Sequence, residues 1–259
     1  MPERDEPAVQ IPPVFEPVYI HGTVNVAEHA AHLAGSGAPE GTLVWSDSQA
    51  EGRARFGRSW ESPDRGLYAS LILRPEFDWR EADQVALIGL VSLGTGIASL
   101  VVPMTELRYR WPNGLLVGGT RIGGIWLEED RSAGWLTLTL SVNVENRPTS
   151  IFDGGCLLEE GGNPEITPEL LLESFSRQFL AWLNLWAEEG LSSVVKEFSG
   201  RSDPPGTPVA ILLGNNQRIA GLLDGADGRG RLQLQVDEKR RTVSIRRFLG
   251  LPEQTGDDA

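Results

Sequence analysis

The chain holds a single cysteine, Cys156, three histidines and two lysines, Lys196 and Lys239, among 259 residues. One cysteine excludes an internal disulfide, and one Cys with three His offers no spacing that would build a structural zinc site. A reducing, cytoplasmic setting is therefore expected. No apolar run reaches the roughly 20 residues that cross a bilayer, so no membrane partner is expected. The head of the chain is acidic and proline-rich instead of basic and then apolar, and does not read as a signal peptide. Positive charge is scarce too: the formal net charge of −13 repels a phosphate backbone and argues against nucleic acid as a partner. With lysine almost missing, nearly every cation is an arginine, which compositional bias explains as readily as function does.

What is present suits one large domain and one small one. Residues 1–17, with Pro2, Pro7, Pro12, Pro13 and Pro17 among acids, read as a disordered tail. Ala27, Ala30, Ala31 and Ala34 predict a short helix that Gly35-Ser36-Gly37 stops. Two apolar strands, over residues 42–46 and 67–73, enclose the stretch Gly52-Arg53-Ala54-Arg55-Phe56-Gly57-Arg58-Ser59-Trp60. Residues 81–102 predict a buried helix with its glycines on one close-packed side, and residues 106–144 a meander of short strands. Thr167-Pro168-Glu169 opens a helix with a cap, a proline in the first turn and an early acid. Its stripe of Leu171, Phe175, Phe179, Leu183 and Trp186 has the period of a core-facing surface and is read as packing, not as a ligand box. Asp203-Pro204-Pro205-Gly206 marks a boundary, after which residues 209–213, 217–223, 231–236 and 242–246 predict strands; residues 251–259 read as a second tail.

The arginine-rich stretch carries the chemistry. Three guanidinium groups separated by small or hinge residues can converge on one anion, although a run of arginines is by default a solvated surface. Three later segments decide against that default: Arg110-Trp111-Pro112-Asn113-Gly114, Gly118-Gly119-Thr120-Arg121-Ile122-Gly123-Gly124-Ile125-Trp126-Leu127-Glu128, and Leu140-Ser141-Val142-Asn143-Val144. In this order they resemble the biotin protein ligases of the wider biotin and lipoate ligase superfamily. The family patterns are a G-R-G-R-x-G-R-x-W-x-S-P-x-x-G-L-Y loop, a K-W-P-N-D turn, a K-x-x-G-I-x-x-E strand and a G-x-G-x-N strand. The resemblance runs over about residues 41–248, and several separated motifs in one order are far more specific than any one of them.

The resemblance implies an α+β fold: a class II synthetase-like catalytic domain over residues 18–202, with a mixed or antiparallel sheet and packed helices, and a small C-terminal SH3-like β-barrel over residues 206–250. It implies an enzyme that uses ATP and Mg²⁺ to make biotinyl adenylate and passes biotin to a lysine of a biotin carboxyl carrier domain. Arg121, Arg55 and Arg58 would be catalytic. Gln49, Gly52, Arg53, Ala54, Arg55, Arg121 and Gly124 would surround biotin and its adenylate. Trp60, Trp111, Pro112, Asn113 and Asn143 would take the nucleotide side, with no protein cluster for a metal. Arg121 stands where the family has a lysine that bridges carboxylate and α-phosphate, Gly114 where the turn ends in an acid, and Thr139 and Ser141 replace strand glycines. Ala54 replaces the loop's second glycine, and Gly22-Thr23-Val24-Asn25 keeps a Ser-Thr-Asn triplet poorly. Some members carry an N-terminal DNA-binding domain for which this head has no room, so no repressor role is expected. Lipoate or octanoate in place of biotin, a ligand-binding pseudoenzyme, and a homodimer stay open as alternatives.

Overall fold

The computed structural model describes residues 7–23, 25–53, 59–149, 154–213 and 217–252. Its strands and helices run β1 Glu16–Tyr19, α1 Val26–Gly35, β2 Thr42–Ser46, β3 Gly52–Arg53, β4 Ser59–Trp60, β5 Leu67–Leu73, α2 Gln84–Ala98, β6 Leu107–Arg110, β7 Gly114–Val117, β8 Thr120–Asp130 and β9 Trp135–Val142. They continue with α3 Leu157–Gly161, α4 Pro168–Glu189, α5 Ser192–Gly200, β10 Pro208–Leu212, β11 Arg218–Ala226, β12 Leu232–Val236, β13 Lys239–Val243 and α6 Ile245–Leu249. Seven strands form one sheet in the order β1-β2-β5-β9-β8-β7-β6, and β10 to β13 form a second, four-stranded sheet in consecutive order. Only the β1–β2 pair is parallel in the large sheet; its other pairs are antiparallel. The fold is the expected α+β arrangement of a mixed sheet with packed helices.

Alternation along the strands gives the large sheet two different faces. On β5, Leu67, Ala69, Leu71 and Leu73 join the main core, whereas Tyr68 and Ile72 join a smaller cluster with Val26, Ala30 and Ala34 of α1. Helix α2 is apolar all round and almost wholly buried, because it lies between the sheet and α4. Its glycines do not share one contact surface as expected. Added Cβ atoms would meet Leu138 of β9 at Gly89, Tyr109 of β6 at Gly94 and the α4 backbone at Phe175 from Gly96. The α4 stripe is packing: Phe175 and Phe179 stack at 5.6 Å between ring centroids, and Trp186 meets Phe77 edge-on.

Two features of the chain's ends differ from the sequence reading. The head was expected to be unstructured to residue 17, yet Phe15 is 7% exposed and reaches Phe179, and Glu16–Tyr19 pairs with β2. Burial of this one aromatic against Phe179 outweighs the surrounding prolines. Near the other end, the strand expected at residues 242–246 starts and stops earlier. Asp237 and Glu238 take positive φ (46° and 61°) in a tight hairpin, and the Ser244 hydroxyl accepts from the Arg247 N–H to start α6. The expected second tail begins later than residue 251: Leu251 is buried, and the Pro252 carbonyl accepts from Arg246. Residues 1–6 and 253–259 lie outside the described residues.

The second sheet is firmly joined to the first. Leu232, Leu234, Val243, Ile245 and Phe248 belong to the same core cluster as α2 and β9. The Trp111 indole N–H donates to the Gly230 carbonyl at 2.8 Å. Arg246 and Glu129 form a two-pronged ion pair, at 2.6 and 3.3 Å, with side chains only 3% and 1% exposed.

Candidate functional site

The sheet face that α1 covers at one end opens farther along into a cavity of about 1080 Å³, walled by β8, β9, the β3–β4 ribbon and the second sheet. Strand β8 supplies its chemistry. Residues 121 and 124 would face opposite ways on a regular strand, but the register shifts between Leu115 and Leu116, so that Leu115 pairs with Gly123 and Leu116 with Arg121. A one-residue shift of this kind re-aims a side chain. Arg121 and Gly124 consequently both line the cavity, with Trp126 and Glu128 beyond them.

Arg121 is the electrostatic centre of this space. Its guanidinium carbon lies 5.4 Å from the Trp60 ring centroid, close enough for cation–π attraction. Its Nε is buried without a hydrogen-bond partner, and no carboxylate among the described residues pairs with it. Burial, and then the neighbouring Arg110 charge, lower its pKa, but arginine remains a cation throughout the working range. A buried charge without a counter-ion is costly and is normally paired. Here the cavity is where its partner would stand.

The β3–β4 ribbon brings in the residues around the arginine loop. It has two pairs, Gly52 with Trp60 and Arg53 with Ser59. A Cβ at Gly52 would fall on the Trp60 carbonyl oxygen and the Ser62 hydroxyl, so glycine is needed for close approach. Gln49 accepts from the Val26 N–H at 3.2 Å and donates to Ser62 at 2.9 Å. Arg53 pairs with Glu28 of α1. Asn25 caps that helix by accepting from the Glu28 N–H, and donates to the Glu51 carbonyl at 2.7 Å. Ala54, Arg55 and Arg58 lie outside the described residues.

The expected nucleotide side divides. Trp60, Trp111 and Asn113 line the cavity, whereas Pro112 and Asn143 are not on its wall. Trp111 is committed to the second sheet through Gly230 and an edge contact with Phe248. The Asn113 amide is spent on the Ile125 carbonyl. Asn143 is 1% exposed and braces the Gly155 carbonyl at 3.0 Å, leaving its own Oδ1 without a partner. Gln49, Arg53, Arg121 and Gly124 therefore meet in one hollow, while Gly52 supports it from behind.

Sequence reading named Asn25 and Glu128 only within motif matches, without a site role, and missed Glu28 and the apolar wall that Val209, Ile211, Leu212 and Phe248 contribute. A cap signal was available at Asn25, ahead of the alanine-rich helix. Nothing local marks the apolar wall, because it acts through a long-range packing of two sheets. Burial and the Glu28 charge raise the Glu128 carboxyl above its ordinary value, with Arg53 opposing them. Thr139 and Ser141 also stand at the cavity, Thr139 tied to Ser70 at 2.9 Å.

The α+β domain thus carries into a large cavity a buried cation that has no counter-ion among the described residues, and known proteins give its class. Residues 58–200 match the model of the biotin/lipoate A/B protein ligase family. The bifunctional ligase/repressor BirA of Bacillus subtilis is 34% identical over 139 residues, covering 51% of this chain and 42% of that protein. The chain thus spans less than half the length of the two Bacillus bifunctional relatives it matches. A biotin acetyl-CoA-carboxylase ligase of Mycobacterium tuberculosis is 30% identical over 236 residues, 86% of this chain and 84% of that one. The biotin protein ligase of Aquifex aeolicus, solved in complex with biotin and ATP, has the same fold, with a TM-score of 0.74 at 22% identity over 88% of this chain and 94% of that chain. The chain belongs to the biotin/lipoate A/B protein ligase family, as a divergent member on the biotin protein ligase side.

Proposed function

We propose that the chain is an ATP-dependent biotin protein ligase. The observation that carries this reading is Arg121: a buried guanidinium with no counter-ion among the described residues, at the wall of a cavity, in a chain of this family.

The chemistry explains why such a cation is needed. A biotin carboxylate oxygen attacks the α-phosphorus of ATP, the bond from that phosphorus to the bridging oxygen breaks, and pyrophosphate leaves with the electron pair. Two unit charges about 4 Å apart at an effective dielectric near 20 repel by roughly 4 kcal/mol, about a thousandfold in rate. Arg121 offsets that repulsion from a fixed position, and a cation already in place costs no reorganisation during reaction. The Trp60 ring holds the guanidinium, and Gln49 fixes the start of α1 beside the ribbon. The apolar wall from the second sheet keeps water from the mixed anhydride that forms. The carrier-domain lysine amine then attacks the acyl carbon, AMP leaves with its electron pair, and the amine loses a proton.

No group of three or more metal-ligating side chains exists among the described residues. The cavity's own carboxylates are poor candidates, since Glu28 is paired with Arg53 and Glu128 is shifted toward its neutral form. Mg²⁺ would therefore enter on the triphosphate, as part of the substrate.

The test is exchange of labelled pyrophosphate into ATP, with biotin, lipoate and octanoate offered in turn. Exchange with biotin is expected. Exchange with lipoate or octanoate alone reassigns the acid, and retained biotin binding with no exchange for any acid makes the chain a ligand-binding pseudoenzyme.

A further inference from the structure

Three neighbours of Arg121 are more specific than a generic anion site requires. The guanidinium carbon lies 5.4 Å from the Trp60 ring centroid. A Cβ on Gly114 would stand 3.8 Å from Arg121 Nη2, and one on Gly124 only 3.2 Å from it. Gly114 and Gly124 are cross-strand partners on β7 and β8. On these sides the head group is neighboured by bare backbone and an indole, with the Arg110 charge close by. Two carboxylates on the cavity wall are already engaged, Glu28 by Arg53 and Glu129 by Arg246 and Arg131, and a third, Glu128, is pushed toward its neutral form by burial and the Glu28 charge.

We infer that Gly114, Gly124 and Trp60 form a guanidinium slot, and that Gly114 determines specificity by keeping every side chain off Arg121, so that the planar fork is free to take two oxygens of one ligand oxyanion. Any acid at position 114 would have its first side-chain carbon within van der Waals distance of Nη2. Its carboxylate would then occupy the fork and exclude the ligand by competition, since guanidinium and carboxylate match in two-pronged geometry. A lysine would not use the slot in the same way, because its ammonium is a point charge without a face to lay on the indole. Gly124 matters sterically: a side chain there would also strike the Asn113 carbonyl, at 2.5 Å. Naming the oxyanion as the biotin carboxylate rests on the function proposed above; the slot itself does not.

The comparison that separates charge from crowding is Gly114→Asp against Gly114→Asn in the full chain. Both add the same bulk, with the Cβ 3.2 Å from Arg110 Cβ, and only the first adds an anion. Two readouts are needed: the Arg121 Nε–Hε resonance, assigned by its loss in Arg121→Lys, and biotin affinity by calorimetry. Gly114→Asp is expected to shift that resonance, where Gly114→Asn does not, and to weaken biotin binding about tenfold or more relative to Gly114→Asn. Equal resonances in the two variants, or equal biotin affinities when the parent chain binds biotin, overturn the slot. A parent chain that binds no biotin, while its Arg121 resonance still answers to Gly114→Asp, supports the slot and removes the biotin reading.

Discussion

Arg121 joins an energetic liability to a chemical use. A buried cation with no counter-ion, as Arg121 is among the described residues, destabilises the fold that holds it, and such sites persist where function needs them. Replacing it by Leu should lower biotin-dependent pyrophosphate exchange by about 10²–10³-fold, the usual loss for one preorganised charge-stabilising donor. Thermal unfolding of the same variant should show a melting temperature unchanged or raised; a marked fall would mean that Arg121 is structural. Asn25 gives the opposite pattern. It caps α1 and holds the Glu51 carbonyl, so Asn25→Ala should cost about 1 kcal/mol in urea titration and loosen the approach to the ribbon. At this scale the sequence pointed to Arg121 and Arg53, and both line one cavity, Arg53 paired with Glu28; Arg55 and Arg58 lie outside the described residues. Asn143 is not on that cavity's wall: its amide is spent inside the protein on Gly155, and no local pattern separates an asparagine that braces a carbonyl from one that meets a ligand.

Among the elements, those marked by regular periodicity were legible and those set by partners were not. The buried strand at residues 67–73 and the striped helix α4 fell where period and caps put them. The register shift on β7 and β8 that turns Arg121 and Gly124 to one face leaves no mark in composition, because it is fixed by which residues pair across strands. Helix α6 was read as strand since its start depends on one hydroxyl, that of Ser244. Two substitutions test the elements around the site. Gly52→Ala places a methyl against the Trp60 carbonyl oxygen; it should force the ribbon apart, abolish biotin binding and cost about 1–3 kcal/mol in denaturant unfolding, as overpacking does. Glu129→Gln leaves Arg246 charged in a buried place, and denaturant unfolding should show a loss of about 3–5 kcal/mol.

The whole molecule is one packing unit. The proline-rich break at residues 203–206 suggested separable domains, yet the core runs through both sheets; a break in chain composition reports local backbone preference and says nothing about long-range contact. Tyr109 reports on that core and Tyr68 on the smaller cluster under α1, since burial pushes both phenols well above their ordinary range. Their unfolded forms ionise near about pH 10. The folded pKa is the higher one, so this contribution to stability is complete below that pH and is lost progressively as pH rises from there through the folded value. An absorbance titration should show both phenols staying protonated until the chain unfolds in alkali; early ionisation of either would contradict their burial.

Trp111 reaching Gly230, and Arg246 reaching Glu129, interlock the halves on either side of Asp203. A polypeptide cut there should yield two fragments that precipitate when made singly and reassemble when made together. Such behaviour would suit the pair to reporting, by complementation, whether two proteins fused to the fragments have come into proximity.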